Sequence, residues 1–286
     1  MAVATAAPLS ITATDRSLLI AATKEPVIST WSLPALTPGP PLRLVGADRP
    51  RIAGLCVGPT ELVVAPDWSP ILQLHPRRDG TPRAVTLPTK RTGAVRCSAA
   101  GLVLLAFPDQ PSTDPDAAGT GPGIVILLGP DGAERKRHTP AAGAAAIDLA
   151  SDGRLALLDN AQTVWIGTAE GELEAVPVAL SGKPRAVAFG PTGVFASSTD
   201  TTCRVGGACA AVDGGAGLLA AGQGWVAVGG FDATTVLDAE HLSVRATLPG
   251  RPAGLHALAD GTLLRIVDRA ATILDPSGTI VREVEL

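Results

Sequence analysis

The sequence contains no tyrosine, and aromatic residues of all kinds make up only 3% of its 286 residues. Aromatic side chains dominate the hot spots of most protein interfaces, so a binding surface of that type is not expected. Charged residues are also scarce, at 17%, against about 25% in an average globular domain. The apolar fraction of 46% nevertheless excludes a disordered chain.

The chain also lacks the features that direct a protein to a membrane or to nucleic acid. Met1 to Ser10 contains neither a charged segment nor an apolar one, so no secretory signal is predicted. The apolar run at 123–128 is far shorter than the roughly 18 residues of a membrane helix. The net charge is −4, whereas nucleic-acid binding needs a basic face. We therefore expect a cytoplasmic protein without a nucleic-acid or membrane partner.

Glycine and proline, in contrast, are frequent, with 32 and 25 residues. Both are costly in a helix interior. No segment has a sustained apolar period of about 3.6 residues with helix caps, so no long helix is predicted. Short apolar runs separated by Gly, Asp and Pro indicate an all-β protein instead.

One pattern recurs seven times: a small-residue-rich apolar segment, a turn of Gly, Asp or Pro, and a second apolar segment. The second segments begin at Leu18, Leu62, Leu102, Leu155, Val194, Val226 and Leu263. The mean repeat is about 41 residues, which matches a four-stranded propeller blade of about 40–45. The sequence thus predicts one seven-bladed β-propeller domain over 1–286. Its four-stranded antiparallel blades are expected at about 1–47, 48–90, 91–140, 141–181, 182–213, 214–249 and 250–286.

The first strand of each repeat is rich in Ala and Gly, as at 144–146 and 253–254. Such strands converge on the axis of a propeller, where bulky side chains would collide. The fourth strands, such as 134–138, are more polar, which suits the rim. Because the last repeat supplies its own fourth strand at 279–284, we expect the ring to close end to end.

The segment 182–193, GKPRAVAFGPTG, resembles the blade-opening segment of WD40-like and YVTN-like propellers. At the level of repeat shape the resemblance covers nearly the whole chain. It implies a rigid disc with many loops, and hence a non-catalytic scaffold for protein–protein interaction, monomeric within a complex. By analogy with stand-alone bacterial propellers, that complex contains an AAA-type ATPase of the MoxR class and a von Willebrand A-type protein.

Basic residues recur in the blade-to-blade loops, which should surround the channel mouth on one face. They are Arg49, Arg51, Lys90, Arg91, Lys183, Arg185 and Arg251. In an otherwise acidic protein, such a ring would steer an acidic peptide or ligand to the channel. The alternative interpretation is that these arginines reflect GC-rich coding DNA and pair locally with Asp residues, without a binding role.

The segment 108–123 is an irregular, Pro-rich insertion between the second and third strands of the third repeat. It carries Asp109, Asp114 and Asp116. Three interpretations are open: a flexible solvated insertion, a partner-contact loop, or a Ca²⁺ loop, although the closing Glu of an EF-hand is missing.

The four cysteines are interpreted as follows. Cys56 and Cys97 lie in apolar runs and are expected to be small core thiols. Cys203 and Cys209 flank 205–207 and are placed to form a disulfide across a hairpin. A zinc site is disfavoured because no second pair of ligands lies at the required spacing.

No motif for nucleophilic, nucleotide or zinc-hydrolase chemistry occurs, so we predict no cofactor, no metal and no catalytic residue. The four histidines, His75, His138, His241 and His256, fall at unrelated positions and are interpreted as surface or turn residues. His256 alone lies on an inner strand, near the channel. Two alternatives stay open. One is a hydrolase or lactonase with channel metal ligands, for which Asp148 is the clear inner-strand acid, and the other is a small-ligand sensor.

Overall fold

The computed structural model describes residues 9–13, 17–22, 27–43, 52–66, 70–77, 81–87, 89, 91–98, 101–107 and 122–286. All regular elements among these residues are strands, arranged as seven antiparallel sheets around an axis. The predicted all-β, seven-bladed propeller of four-stranded blades is therefore confirmed. No helix in this part of the chain is long and apolar enough to cross a membrane.

Each blade is built from consecutive strands. Blade 1 contains β1 (Leu9–Ala13), β2 (Ser17–Ala22), β3 (Val27–Ser32) and two short outer strands, β4 (Thr37–Pro38) and β5 (Leu42–Arg43). Blade 2 contains β6 (Ile52–Val57), β7 (Glu61–Pro66), β8 (Ile71–Pro76) and β9 (Arg83–Thr86). Blade 3 contains β10 (Arg91–Ser98), β11 (Gly101–Phe107), β12 (Ile124–Leu128) and β13 (Glu134–His138). Blade 4 contains β14 (Ala144–Leu149), β15 (Arg154–Asp159), β16 (Thr163–Thr168) and β17 (Leu173–Pro177).

The remaining blades have the same order. Blade 5 contains β18 (Pro184–Gly190), β19 (Gly193–Ser198), β20 (Thr201–Arg204) and β21 (Cys209–Ala211). Blade 6 contains β22 (Leu218–Gly222), β23 (Trp225–Gly229), β24 (Ala233–Asp238) and β25 (Val244–Pro249). Blade 7 contains β26 (Pro252–Ala257), β27 (Leu263–Val267), β28 (Ala270–Leu274) and β29 (Ile280–Glu285).

The ring closes without an exchanged strand. Blade 7 pairs β26 to β29 in chain order, and blade 1 pairs its own β1 to β5. The inner strands of neighbouring blades contact one another around the axis, and β1 contacts β26. The expected end-to-end closure is therefore what the strand order shows.

The meander of each blade gives the disc two different faces. The segments that link one blade to the next, and the turns between second and third strands, lie on what we call the connecting face. The turns between first and second strands, and between third and fourth strands, lie on the opposite face. This assignment follows from the antiparallel order alone.

The core consists of seven apolar clusters, one at each junction between neighbouring blades. At the junction of blades 1 and 2, Leu19 and Ile28 pack with Leu55 and Val64. At the junction of blades 7 and 1, Leu18 packs with Leu264 and neighbouring residues. Because apolar burial contributes about 25 cal/mol per Å², each junction stabilises two blades at once.

The sequence encodes the opposite-face turns with Asp and Gly. In blade 4, Gly153 adopts a φ of 88°, and Asp152 Oδ1 accepts the Arg154 N–H at 3.1 Å. In blade 7, Gly261 has a φ of 87°, and Asp260 Oδ1 accepts the Thr262 N–H at 3.0 Å. Positive φ favours glycine, and the aspartate side chain satisfies a backbone donor in the turn.

Blade 5 differs from blades 3 and 4 in one core layer. In this blade, Ala186 of β18 pairs with Ser197 of β19, which in turn pairs with Thr202 of β20. The corresponding pairs are Leu105 with Val125 in blade 3 and Leu158 with Val164 in blade 4. Both blade 5 hydroxyls are fully buried and make no hydrogen bond within the described structure.

Candidate functional site

The inner strands surround a cavity of about 730 Å³ that follows the propeller axis, here called the central channel. Its wall is mostly small or aliphatic, with Gly93, Ala94, Ala145 and Ala220 among the lining residues. The Ala and Gly enrichment of the first strands therefore keeps the axis open. A cavity of this size falls in the range of small-molecule sites.

Five channel residues occupy the same position in their blades. Each of five inner strands has a register shift near its start. The position compared is the fourth residue after the paired residue that directly precedes this shift. That position holds Cys56, Arg96, Asp148, Ala188 and His256 in blades 2, 3, 4, 5 and 7. We call these residues the channel layer. It lies toward the opposite-face end of the channel.

Arg96 and Asp148 form an ion pair across the junction of blades 3 and 4. Arg96 Nε donates to Asp148 Oδ1 at 3.2 Å, and Arg96 Nη1 donates to the Val95 carbonyl at 3.0 Å. Asp148 Oδ2 accepts the Phe189 N–H of blade 5 at 2.8 Å. Asp148 thus links three consecutive blades.

Cys56 and Cys97 form a disulfide across the junction of blades 2 and 3, with 5.6 Å between their Cα atoms. The expectation of two separate core thiols is therefore wrong. Cys56 belongs to the channel layer of blade 2. In blade 3, Cys97 directly follows the channel-layer residue Arg96, and the two sulfurs meet between the neighbouring inner strands β6 and β10. The burial of Cys56 was expected correctly, at 6% exposure, but its partner lies 41 residues away.

His256 lies in the channel wall, as expected from its inner strand. Burial lowers the pKa of His256 to about 4, and the positive charge of Arg96 acts in the same direction. The imidazole is therefore neutral at physiological pH. Its side chain makes no hydrogen bond to any residue that the structure describes.

The other three histidines are half-buried or exposed. His75 lies on β8 and contacts Gln73, with 3.2 Å between His75 Nε2 and Gln73 Oε1, and burial lowers its pKa. His138 Nε2 lies 3.0 Å from the Ala169 carbonyl of blade 4. His241 lies in an exposed turn beside Asp238. The structure brings none of these three to the channel.

Three of the seven predicted basic residues have described side chains. Lys183 and Arg251 are exposed in blade-to-blade segments, and Arg185 is half-buried at the start of β18, where it lines the channel. Arg91 begins β10, but its side chain lies outside the described structure. Arg49, Arg51 and Lys90 also lie outside the described residues.

The cations of the connecting face differ from those of the opposite face in their partners. On the opposite face, several arginines pair with carboxylates, as in Arg83 with Glu61 at 3.0 Å and Arg135 with Glu170 at 2.9 Å. On the connecting face, Lys183, Arg185, Arg251 and Arg269 make no ion pair with described residues. The Nε atom of Arg185 is buried without a hydrogen-bond partner there.

Phe231 is an exposed aromatic residue of the connecting face. Its side chain is 45% exposed, and the Arg251 guanidinium lies 5.6 Å from its ring centroid. Its backbone N–H donates to Asp213 Oδ2 at 2.8 Å, which fixes the turn. The contact holds a cation over an aromatic ring at the surface.

The remaining predicted features are the Cys203 and Cys209 pair and the aspartates of the 108–123 insertion. Cys203 and Cys209 lie opposite each other on β20 and β21 and form a disulfide, with 4.0 Å between their Cα atoms. Asp109, Asp114 and Asp116, with most of the 108–123 insertion, lie outside the described residues. In the described part of the chain, no group of three His, Cys, Asp or Glu side chains is placed to hold a metal ion.

Sequence reasoning missed the channel layer as a set. The signal that finds it is repeat alignment, because Cys56, Arg96, Asp148 and His256 fall at one repeat position, where small residues were otherwise expected. Arg265 was also missed. It is buried in β27, where its Nε donates to Thr234 Oγ1 of blade 6 at 2.9 Å and its Nη2 donates to the Gly250 carbonyl at 2.9 Å.

Comparison with known proteins identifies the architecture. No protein-family model matches the sequence, and no curated protein matches it either. Among solved structures, the chain is similar to the crystal structure of Kluyvelomyces marxianus Hsv2, with a TM-score of 0.68 and 8% sequence identity. The similarity covers 98% of this chain and 99% of that chain. At this identity it shows a shared fold, and the fold of this protein is the seven-bladed β-propeller.

Proposed function

We propose that this propeller is a non-catalytic scaffold that binds an acidic segment of a protein partner on its connecting face. The observation that carries the proposal is the difference between the two faces. Several opposite-face cations, such as Arg83, Arg135 and Arg154, pair with neighbouring carboxylates. Lys183, Arg185 and Arg251 have no such partner in the described structure. Unpaired cations around a channel mouth are available to carboxylates of another chain.

The connecting face also carries acidic residues, which restricts the partner. Asp200, Asp232 and Asp268 lie in the turns between second and third strands and are exposed. A uniformly acidic segment would meet these carboxylates as well as the cations. The partner is therefore expected to present carboxylates spaced to match Lys183, Arg185 and Arg251, with the stacked Phe231 as an apolar contact.

For the assembly, we propose a bacterial multiprotein system that contains an AAA-type ATPase and a von Willebrand A-type protein, in which the propeller is monomeric. This rests on the resemblance to stand-alone propellers. Its test is co-purification of the tagged chain with purified candidates of these two classes. Retention of neither would contradict it.

The cysteines bear on the cellular location. A cytoplasmic location stays a prediction. All four cysteines are paired in the structure, and structural disulfides persist mainly in oxidising compartments. Thiol titration of the denatured protein, purified from its native host, distinguishes the two locations. Four free thiols per chain would support the cytoplasm, and zero free thiols would support an oxidising compartment.

The main test is fluorescence anisotropy with a labelled peptide of alternating Glu and Ala, compared with the same peptide in which Gln replaces Glu. The Glu peptide is expected to bind at low salt, and the Gln peptide is not. The double variant Lys183→Glu/Arg251→Glu should weaken binding by about tenfold or more. The matched double variant Arg135→Glu/Lys136→Glu reverses two charges on the opposite side of the disc and should retain binding. Equal losses in both double variants would overturn the proposal.

A further inference from the structure

The central channel contains an uncompensated positive charge. Among the residues that the structure describes, three charged ones line it, namely Arg96, Asp148 and Arg185. Arg96 and Asp148 neutralise each other in their ion pair. Arg185 makes no ion pair or hydrogen bond to the described residues, and its buried Nε lacks a partner. The described part of the channel wall therefore carries a net charge of about one, available to a monoanion.

Polar side chains without a described hydrogen-bond partner lie at two levels of this channel. Arg185 lies at the connecting-face end, one residue into β18, and His256 lies in the channel layer, four residues after the start of β26. At about 3.3 Å per residue, three residues along parallel inner strands separate the two levels by about 10 Å. Between them the wall is formed by small and aliphatic residues such as Ala94, Ala146 and Ala220.

Buried polar groups without partners are rare in folded proteins, because burial removes their hydrogen bonds to water. Here the Arg185 guanidinium has a buried Nε without a described partner. The half-buried imidazole of His256 lines the same cavity and makes no hydrogen bond to a described residue. Because burial and the charge of Arg96 keep His256 neutral, its ring offers one donor and one acceptor without adding charge. The channel therefore suits a ligand with one anionic end and one uncharged polar end.

We propose that the central channel binds a small organic monocarboxylate, whose carboxylate pairs with Arg185 and whose uncharged polar end hydrogen-bonds to His256. The aliphatic part of the ligand lies along the Ala-rich wall. The cavity of about 730 Å³ accommodates such a molecule, and a monoanion matches the single uncompensated charge. This site shares Arg185 with the proposed peptide contacts of the connecting face, whereas His256 and the Ala-rich wall contact the small ligand alone.

Isothermal titration calorimetry of the full chain with 6-hydroxyhexanoate tests the proposal. One molecule per chain is expected to bind. Hexanoate, which lacks the hydroxyl group, should bind several-fold more weakly, and 1,6-hexanediol, which lacks the carboxylate, should bind at least about tenfold more weakly. No binding of 6-hydroxyhexanoate, or equal binding of the diol, would overturn the proposal.

Two variants locate the ligand. Arg185→Gln should weaken 6-hydroxyhexanoate binding by about tenfold or more, whereas Arg185→Lys should retain part of it. His256→Ala should abolish the preference for 6-hydroxyhexanoate over hexanoate. Arg135→Gln, on the opposite face, is the matched control and should bind as the wild type does. Unchanged thermal unfolding verifies that each variant folds.

The outcomes separate this proposal from the scaffold function. Dependence on Arg185 without dependence on His256 places the carboxylate at the channel mouth and contradicts a ligand that spans the channel. Peptide binding by the connecting face does not involve His256. Failure of the small-molecule titration therefore leaves the peptide result unaffected, and the reverse also holds.

Discussion

Asp148 accepts a hydrogen bond from Arg96 of the preceding blade and from the Phe189 backbone N–H of the following blade, at 3.2 Å and 2.8 Å. The Cys56–Cys97 disulfide joins blades 2 and 3 at the same level of the channel. Four consecutive blades are therefore connected, one to the next, by polar or covalent links beside the axis. These links lie where the small wall residues provide little apolar packing.

Asp148→Ala should lower the free energy of unfolding by about 1–3 kcal/mol, because the Phe189 N–H loses its acceptor and Arg96 loses its counterion. Asp148→Asn keeps an acceptor oxygen and should lose less. Urea unfolding measures both. Glu170→Gln, in an exposed pair with Arg135, is the control, with an expected change below about 0.5 kcal/mol. An Asp148→Ala protein as stable as this control would show that the link contributes nothing.

Replacing Cys56 and Cys97 together by alanine should destabilise the protein by about 2–4 kcal/mol. The same change at Cys203 and Cys209 should cost about 1–2 kcal/mol less, since the two bridges close loops with sequence separations of 41 and 6 residues. Denaturant unfolding of the two double variants under non-reducing conditions makes the comparison. A larger loss for the Cys203 and Cys209 variant would contradict the loop-length argument.

His256 should make stability depend on pH in the mildly acidic range. Its pKa is about 4 in the folded chain and about 6.5 when unfolded, so the unfolded state binds more protons between these values. The contribution to stability is therefore fully present above about pH 6.5 and is lost as the pH falls toward 4. The loss amounts to about 3 kcal/mol at the lower limit.

Unfolding free energies at several pH values between 4 and 7 measure this effect. His256→Gln should flatten much of the slope, and His241→Gln, in an exposed turn, should leave it unchanged. Part of the slope will remain in His256→Gln because burial also lowers the pKa of His75. A His256→Gln protein with the wild-type slope would contradict the buried neutral state.

Thr202→Val should leave stability unchanged or raise it by about 1 kcal/mol. The Thr202 hydroxyl is buried without a described partner, and valine stands at the equivalent positions Val125 and Val164. Removing an unsatisfied buried hydroxyl while keeping the shape relieves its desolvation cost. Thermal unfolding compares the variant with the wild type. A loss above about 1 kcal/mol would show that the hydroxyl has a partner, such as a bound water.

The architecture was predictable because it is repeated. Seven similar segments, each with a Gly or Asp turn before an apolar run, specify strand number and blade order without any long-range information. The small residues of the inner strands also placed the channel. Averaging over seven copies explains why the fold followed from a sequence with only weak motifs.

The site was predictable only in part, because its contacts join different repeats. Arg96 and Asp148 are 52 residues apart, and nothing in the local sequence of either residue indicates the other. Cys97 follows Arg96 in an apolar run and resembles an ordinary core residue. Only the side-chain directions of adjacent inner strands bring the two sulfurs together. The position of Lys183 and Arg251 on the connecting face was predictable, because both lie in blade-to-blade loops and the topology determines the face of those loops.

Zero-length carbodiimide cross-linking tests most directly the claim that the connecting face binds acidic segments. The reagent joins a carboxylate of the alternating Glu and Ala peptide to a lysine that it contacts. Lys183 lies on the connecting face, and Lys136 lies on the outer strand β13 beside Glu172. Mass spectrometry is predicted to find the peptide joined to Lys183, with loss of that product in Arg185→Glu/Arg251→Glu. Cross-links at Lys136 without any at Lys183 would contradict the proposed function.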